Sequence, residues 1–225
     1  MSHAPCEYQE TFAKGLLRQQ PLVDGWFIGR YAMNLYRGCE HGCVYCDGRS
    51  EKYYVPGDFE RQIAVKINAL ELLDRELGKI REPGFIFLGG GVSDSYQPAE
   101  REYRLARGVL ERIAKTSLSV HVLTKSTLVE RDFDLLQEIS SRASVIVSMS
   151  IQTIDDSVRR EFEPKASPIQ DRLATLRKAK ELGLTTGVMA MPVLPGISDS
   201  EEAVDKLAAC CRDVGVDFAC FGGLT

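Results

Sequence analysis

The sequence predicts an α/β fold in which parallel strands alternate with helices. Six short strand-like runs, five amphipathic stretches between them, and a glycine, proline or polar ending to each run predict it. Right-handed βαβ crossovers satisfy this order as a partial (β/α)6 TIM-like barrel or as an open doubly wound sheet. Both place a site at the C-terminal edge of the strands.

Residues 1–30 read as a lead-in, without strong periodicity until Trp26-Phe27-Ile28 and punctuated by Pro21, Gly25 and Gly29. Residues 31–225 read as the core. Tyr31 to Tyr36 is its first strand, delivering the chain to Gly38 and a cysteine-bearing loop. After Pro56-Gly57, Asp58 caps a predicted helix running to about Leu77, with Ile63, Leu70, Leu73 and Leu77 at helical spacing and Gly78 as its stop. Phe85 to Leu88, ended by Gly89-Gly90-Gly91, suits a buried strand. Ala99 to Lys115 is helical, with Leu105, Val109, Leu110 and Ile113 on one side. Ser119 to Leu123 is the next strand and Asp132 to Ser140 the next helix. Val145 to Ile151 alternates: Val145, Val147, Met149 and Ile151 face one way, Ile146, Ser148, Ser150 and Gln152 the other. A charged helix from Pro168 to Leu182 precedes a strand from Thr185 to Met191, stopped by Pro192 and Pro195-Gly196. Asp199 to Val214 is helical and Phe218 to Phe221 is the sixth strand. The chain ends there without a sixth helix, as a piece of a longer protein or an isolated domain would.

At 225 residues there is room for one sizeable domain or two small ones. An apolar share of 44% with 27% charged residues fits a soluble globular protein rather than a disordered one. The formal net charge of −4 excludes nucleic-acid binding through overall charge and leaves room for local basic patches. No apolar run approaches the roughly 18 residues of a membrane span. Met1 to Gln20 lacks the apolar core of a signal peptide, so a cytoplasmic location is expected, with no membrane partner.

Seven cysteines, an odd number in a chain this long, do not suit a disulfide framework. Three of them, Cys39, Cys43 and Cys46, fall in one loop, and soft thiolates suit Fe–S clusters, zinc or copper. A structural zinc site commonly takes four ligands from two separated pairs, and no second pair occurs here. His41, inside the loop, would have to fold back on a very short tether to be the fourth ligand. A ferredoxin cluster needs a fourth cysteine, whereas three cysteines around a [4Fe-4S] cube leave one iron open.

Cys-x-x-x-Cys-x-x-Cys after a first strand, with an aromatic residue before the last cysteine, resembles the radical S-adenosylmethionine (SAM) superfamily. The flanks are similar to the spore photoproduct lyase-like (DNA repair photolyase-like) group within it. They are Tyr36-Arg37-Gly38 before Cys39, Ser93-Asp94-Ser95-Tyr96-Gln97-Pro98-Ala99-Glu100, Thr124-Lys125-Ser126 with Arg131-Asp132, Ser150-Ile151-Gln152-Thr153, and Phe162-Glu163-Pro164-Lys165-Ala166 with Arg172-Leu173. The resemblance implies a partial (β/α)6 barrel and a [4Fe-4S] cluster on Cys39, Cys43 and Cys46. It also implies reductive cleavage of SAM to a 5′-deoxyadenosyl radical that abstracts hydrogen from a substrate. An external electron donor such as a flavodoxin or a ferredoxin is implied as a partner.

The same resemblance places Gly89, Gly90 and Gly91 at the methionine-binding loop of SAM; the acidic residue usual after two glycines is absent, and Ser93 and Asp94 stand in its place. It implies that Lys125 meets the SAM carboxylate or ribose, Ser150 and Gln152 the ribose, and Tyr45 and Pro192, beside Met191, the adenine. His121 reads as a satisfied core histidine. Arg159, Arg160, Lys165 and Arg172 alternate with Glu161, Glu163 and Asp171, which predicts a solvated face. The photoproduct lyase carries a hydrogen-donor cysteine just before its Ser-Asp pair, where Gly91 and Val92 stand here. The substrate is therefore left unidentified, nucleic acid or otherwise. The alternatives are a lyase that repairs ultraviolet lesions in DNA and a non-enzymatic binding module stabilised by an Fe–S cluster or zinc.

Overall fold

The computed structural model describes residues 6–53, 55, 57–89 and 92–223. Seventeen elements matter here. The strands are β1 (Glu7–Thr11), β2 (Arg18–Gln19), β3 (Gly29–Ala32), β4 (Tyr36–Arg37), β5 (Gln62–Lys66), β6 (Phe85–Leu88), β7 (Ser119–Thr124), β8 (Val145–Ser150), β9 (Thr185–Val193) and β10 (Phe218–Gly223). The helices are α1 (Ala69–Leu77), α2 (Glu100–Tyr103), α3 (Leu105–Ile113), α4 (Phe133–Ser140), α5 (Asp156–Phe162), α6 (Ile169–Glu181) and α7 (Glu201–Val214).

The main sheet has the order β10-β9-β8-β7-β6-β3-β2. Its pairs are parallel from β3 to β10, and β2 joins β3 antiparallel. Six parallel strands in βα order form a partial TIM-like barrel, with β2 and β10 as its open edges. No pairing among the described residues closes it.

Alternation along each strand sorts the layers. Val120, Val122, Val145, Val147, Met149, Val188 and Ala190 turn outward into one apolar core shared with the helices. There they meet Val109, Leu110 and Ile113 of α3, Leu136 and Ile139 of α4, and Leu173 and Leu176 of α6. The opposite face is more polar: His121 of β7 places Nδ1 2.9 Å from the Phe27 carbonyl and Nε2 2.9 Å from Ser148 Oγ on β8. Both ring nitrogens are thus satisfied, and burial lowers the His121 pKa. No helix among the described residues is long and apolar enough to cross a membrane.

Three predicted elements differ. The Asp58–Leu77 helix begins only at Ala69, because Ile63, Ala64 and Val65 are all buried and form the middle of β5. That strand pairs in parallel with β1 and antiparallel with β4 as a three-stranded sheet. Consecutive buried residues suit a strand covered on both faces, and its partner lies some fifty residues upstream, outside any local window. Tyr31–Tyr36 divides between two sheets, as β3 and β4. The Ala99–Lys115 helix breaks at Arg104, whose φ of 51° lies in the left-handed region. In addition α5 had no predicted counterpart; Asp155 caps it by accepting a hydrogen bond from the Ser157 N–H.

The lead-in is woven into the fold. It contributes β1 to the small sheet and β2 to the main one, and it sends the Phe27 ring onto Phe87 of β6, stacked at 4.7 Å between centroids. Because Ile63 is fully buried on β5, Ile63→Ala is expected to lower unfolding free energy by about 2–5 kcal/mol, read by urea denaturation at unchanged m-value.

Candidate active site

The loop Cys39–Cys46 joins β4 to the short helical turn Asp47–Arg49 and has no ladder of its own. Gly38 and Gly42 hold φ of +79° and +68°, where an L side chain is strained. A Cβ on Gly38 would also meet the carbonyl oxygens of Phe59 and Gln62 at 2.9 Å.

Beside turn bonds of its own, such as the Gly42 N–H to the Cys39 carbonyl at 3.3 Å, the loop takes hydrogen bonds from two distant segments. From one side, Gln97 Oε1 accepts the Glu40 N–H at 2.9 Å and Gln97 Nε2 donates to the Gly38 carbonyl at 3.2 Å. Glu40 is buried, and its Oε1 accepts the Ala99 N–H at 2.7 Å. Ser93 Oγ donates to the Tyr36 carbonyl at 3.1 Å. From the other side, the Phe162 carbonyl accepts the Val44 N–H at 3.0 Å, and the Lys165 N–H donates to the His41 carbonyl at 3.2 Å. Backbone groups that have no regular ladder are thereby paired.

Two buried charge clusters meet at this loop. In the first, Asp94 accepts hydrogen bonds from His41 Nε2 at 3.1 Å, from Thr124 Oγ1 at 2.8 Å and from the Lys125 N–H at 2.9 Å. Burial alone would raise the Asp94 pKa; His41 and the Lys125 and Tyr96 N–H groups outweigh it and hold the carboxyl at about 2. His41 is 2% exposed, and its Nδ1 has no hydrogen-bond partner among the described residues. In the second cluster, Arg172, fully buried, donates from Nη2 to Glu163 at 2.6 Å, from Nη1 to the Ser150 carbonyl at 2.8 Å and from Nε to the Ser167 carbonyl at 2.7 Å. Glu163 also accepts from the Tyr45 hydroxyl and lies 3.6 Å from Lys125 Nζ. Its burial is outweighed by the Lys125 and Arg172 charges, so its pKa falls below the usual glutamate value. Tyr45, buried against that carboxylate, has its phenol pushed well up.

A cavity of ≈ 240 Å³ opens between this loop and the C-terminal ends of the strands. Cys39, Cys43 and Cys46 line it together with Tyr45, Ser93, Lys125, Ser150 and Pro192. His41, Asp47, Asp94 and Thr124 add to its polar side, and Phe27, Met189 and Met191 to its apolar wall. Burial raises the Cys43 thiol to about 12, opposed by Lys125, and raises Cys39 well above its ordinary value, reinforced by Asp94. All seven cysteines of the chain are free thiols. Among the described residues, no three His, Cys, Asp or Glu side chains converge on a single-ion position.

Two residues predicted for this site sit elsewhere. Gln152 Nε2 donates to the Met191 carbonyl at 2.7 Å, bracing β9 from outside the cavity lining. Gly89 borders a second cavity, and a Cβ there would meet Leu123 and Phe87 at 2.8 Å, so its missing side chain serves strand packing. Gly90 and Gly91 lie outside the described residues.

The expected solvated face is corrected. Arg159, Glu163 and Arg172 are 8%, 3% and 0% exposed. Charge alternation hid this, but spacing carried a signal: Arg172 lies three residues after Ile169 and four before Leu176, on the apolar stripe of α6. Arg160 and Lys165 stay on the outside.

Removing one partner of a buried ion pair leaves an uncompensated charge. Glu163→Gln or Arg172→Met alone is expected to destabilise the chain by about 3–5 kcal/mol, with the double variant clearly less affected than the sum. Urea denaturation of the four proteins closes the cycle.

Comparison with known proteins bears on the whole chain. The radical SAM superfamily profile matches residues 33–208. An uncharacterized protein of Mycobacterium tuberculosis (strain H37Rv) is 37% identical over 208 residues, covering 89% of this chain and 60% of the relative. The "Radical SAM Nalpha-GlyT isomerase" of Pseudomonas phage M6 is 24% identical over 179 residues, covering 76% of this chain and 35% of that one. Among solved structures, spore photoproduct lyase complexed with dinucleoside spore photoproduct superposes with a TM-score of 0.69 at 20% identity, over 95% of this chain and 60% of that chain. The chain thus spans about 60% of the length of the mycobacterial relative it matches. With the matched residues running from just before β4 and the cysteine loop into α7, the chain belongs to the radical SAM superfamily.

Proposed function

We propose that Cys39, Cys43 and Cys46 hold a [4Fe-4S] cluster and that the cavity beside them binds SAM, making this a radical SAM enzyme. The observation that carries the reading is the shared cavity, whose lining brings three soft thiols together with Lys125, Ser93 and Ser150 and with the apolar Met189 and Met191. Three thiol donors suit an Fe–S group with one iron left open. The buried His41 Nδ1, unpartnered among the described residues, supports a further polar group being seated in the cavity that His41 lines. When bound, the reduced cluster supplies the electron that cleaves SAM, and the 5′-deoxyadenosyl radical released abstracts hydrogen from the substrate. An external carrier such as a flavodoxin or a ferredoxin delivers that electron.

The chain's own residues position and shield. Lys125 offers a cation to the SAM carboxylate, and its loose 3.6 Å pairing with Glu163 leaves the ammonium free to be shared. Ser93 and Ser150 supply polar contacts, and Tyr45, Met191 and Pro192 give an apolar surface for the adenine. Cys39 and Cys43, each 7% exposed, are shielded from bulk water, and Cys46 is half-buried.

A second reading, action on a nucleic-acid lesion, is favoured by the lyase whose structure holds a dinucleoside photoproduct. Against it, the sequence places Gly91 and Val92, not a cysteine, directly before Ser93-Asp94.

Anaerobic reconstitution is expected to load about four iron and four sulfide per chain, and reduction with SAM to release 5′-deoxyadenosine. Cys43→Ala abolishes cluster loading; a colourless protein holding one zinc would overturn the reading. Lys125→Ala is expected to weaken SAM binding about tenfold, a loss of roughly 1.4 kcal/mol, with cluster content retained.

A further inference from the structure

The buried contact between Asp94 and His41 leaves one polar atom over. Oδ2 of Asp94 meets His41 Nε2 at 3.1 Å and accepts the Lys125 N–H at 2.9 Å. Oδ1 accepts the Tyr96 N–H and the Thr124 hydroxyl, each at 2.8 Å. An ionised carboxylate only accepts, and Asp94, with its pKa held at about 2, is ionised. His41 Nε2 therefore carries the hydrogen of their contact. In the neutral imidazole the other nitrogen, Nδ1, is then a lone-pair acceptor. It is buried, and among the described residues nothing donates to it. A buried acceptor without a donor is costly, so a ligand that brings one is favoured.

Position and company narrow the choice of donor. His41 lies between Cys39 and Cys43 in the chain, and both His41 and Lys125 line the cavity of the three cysteines. One atom ties the two together, since the His41 ring and the Lys125 backbone N–H meet at the same Asp94 Oδ2. An acceptor and an ammonium on one support complement two groups borne by one carbon, an amino N–H and a carboxylate. The Asp94 charge behind the ring raises the basicity of Nδ1 and strengthens it as an acceptor. Asp94 itself already has four donors, so its charge reaches a ligand's amino group through the ring.

We propose that His41 Nδ1 accepts an N–H of the SAM α-amino group, so that His41 and Lys125 together clamp the amino and carboxylate groups of its methionine moiety. Asp94 is the positioning residue, fixing the His41 tautomer. The clamp rests on the radical SAM reading of the cavity. It also accounts for the absence of an acidic residue directly after two glycines, because Asp94 and His41 do its work as a pair.

The test is anaerobic calorimetric titration of the reconstituted full chain with SAM and with its deaminated analogue, in which hydrogen replaces the α-amino group. His41→Gln sets an amide nitrogen where Nε2 bonds Asp94 and leaves no acceptor at the Nδ1 position. SAM is expected to bind it about tenfold more weakly than wild type, and the analogue about equally. Asp94→Asn, an isosteric change, admits the tautomer with hydrogen on Nδ1 and is expected to weaken SAM in the same selective way. Lys125→Ala weakens both ligands alike, because both keep the carboxylate. Iron and sulfide are counted on every sample, so that the ratio of the two affinities is compared at equal loading. An unchanged ratio in the loaded variants, or equal affinity of the wild type for the two ligands, overturns the clamp. Loss of the cluster from both His41→Gln and Asp94→Asn overturns it as well, in favour of a role in assembling the loop. Release of 5′-deoxyadenosine is read on the same samples. Cleavage of SAM by the wild type with an unchanged ratio in the variants discards the clamp and keeps the enzyme; a wild type that holds no iron and binds neither ligand discards both.

Discussion

Everything at the site depends on holding an eight-residue loop that cannot hold itself. A loop with three buried or half-buried thiols, one left-handed glycine inside it and another just before it makes no regular hydrogen-bond ladder, so most of its peptide groups need partners from elsewhere. Ser93–Glu100 supplies them from the end of β6, and Phe162–Lys165 from the end of α5. Gln97 serves the loop with both ends of its amide, and Glu40 and the Val44 N–H complete the clamp. Gln97 and Lys165, in two of the segments that carry the family resemblance, thus bond directly to this part of the chain.

Buried charge is the second layer of that scaffold. Asp94 and Glu163 sit on opposite sides of the cysteines, each with more than one donor. Their pKa values are lowered even though burial pulls the other way, which means that the local donors outweigh the desolvation. Lys125 links the clusters: its backbone N–H donates to Asp94, and its ammonium faces Glu163. A ligand drawing on that ammonium therefore acts on a residue already tied to both walls.

Sequence reading was strongest where periodicity is local. β6, β7, β8 and the start of β9 follow their predicted limits within a residue or two, and the alternation on β8 correctly separates Val147 and Met149 from Ser148 and Ser150. The cysteine spacing located the loop because chemistry constrains residue type there. What was not legible depends on non-local pairing. Ile63 fits the helical period of Leu70, Leu73 and Leu77 as well as a strand, and β1, far upstream, decides between them. Arg172 and Glu163 looked solvated because charge alternation carries no information about which neighbour will cover a charge. The position of Phe27 between two cavities had no signal beyond a short apolar run, since its place is set by Phe87 and His121, some sixty and ninety residues later.

The contact between Tyr45 and Glu163 closes across 118 residues of chain. During synthesis the cysteines emerge early, while the clamp around Phe162 arrives only after β8 has been made. Contacts of such span form late, because the loop-closure entropy they demand is offset only once the intervening elements have folded. The Phe162–Lys165 half of the clamp therefore joins only after the Ser93–Glu100 half has been made, and until then the loop is held from one side.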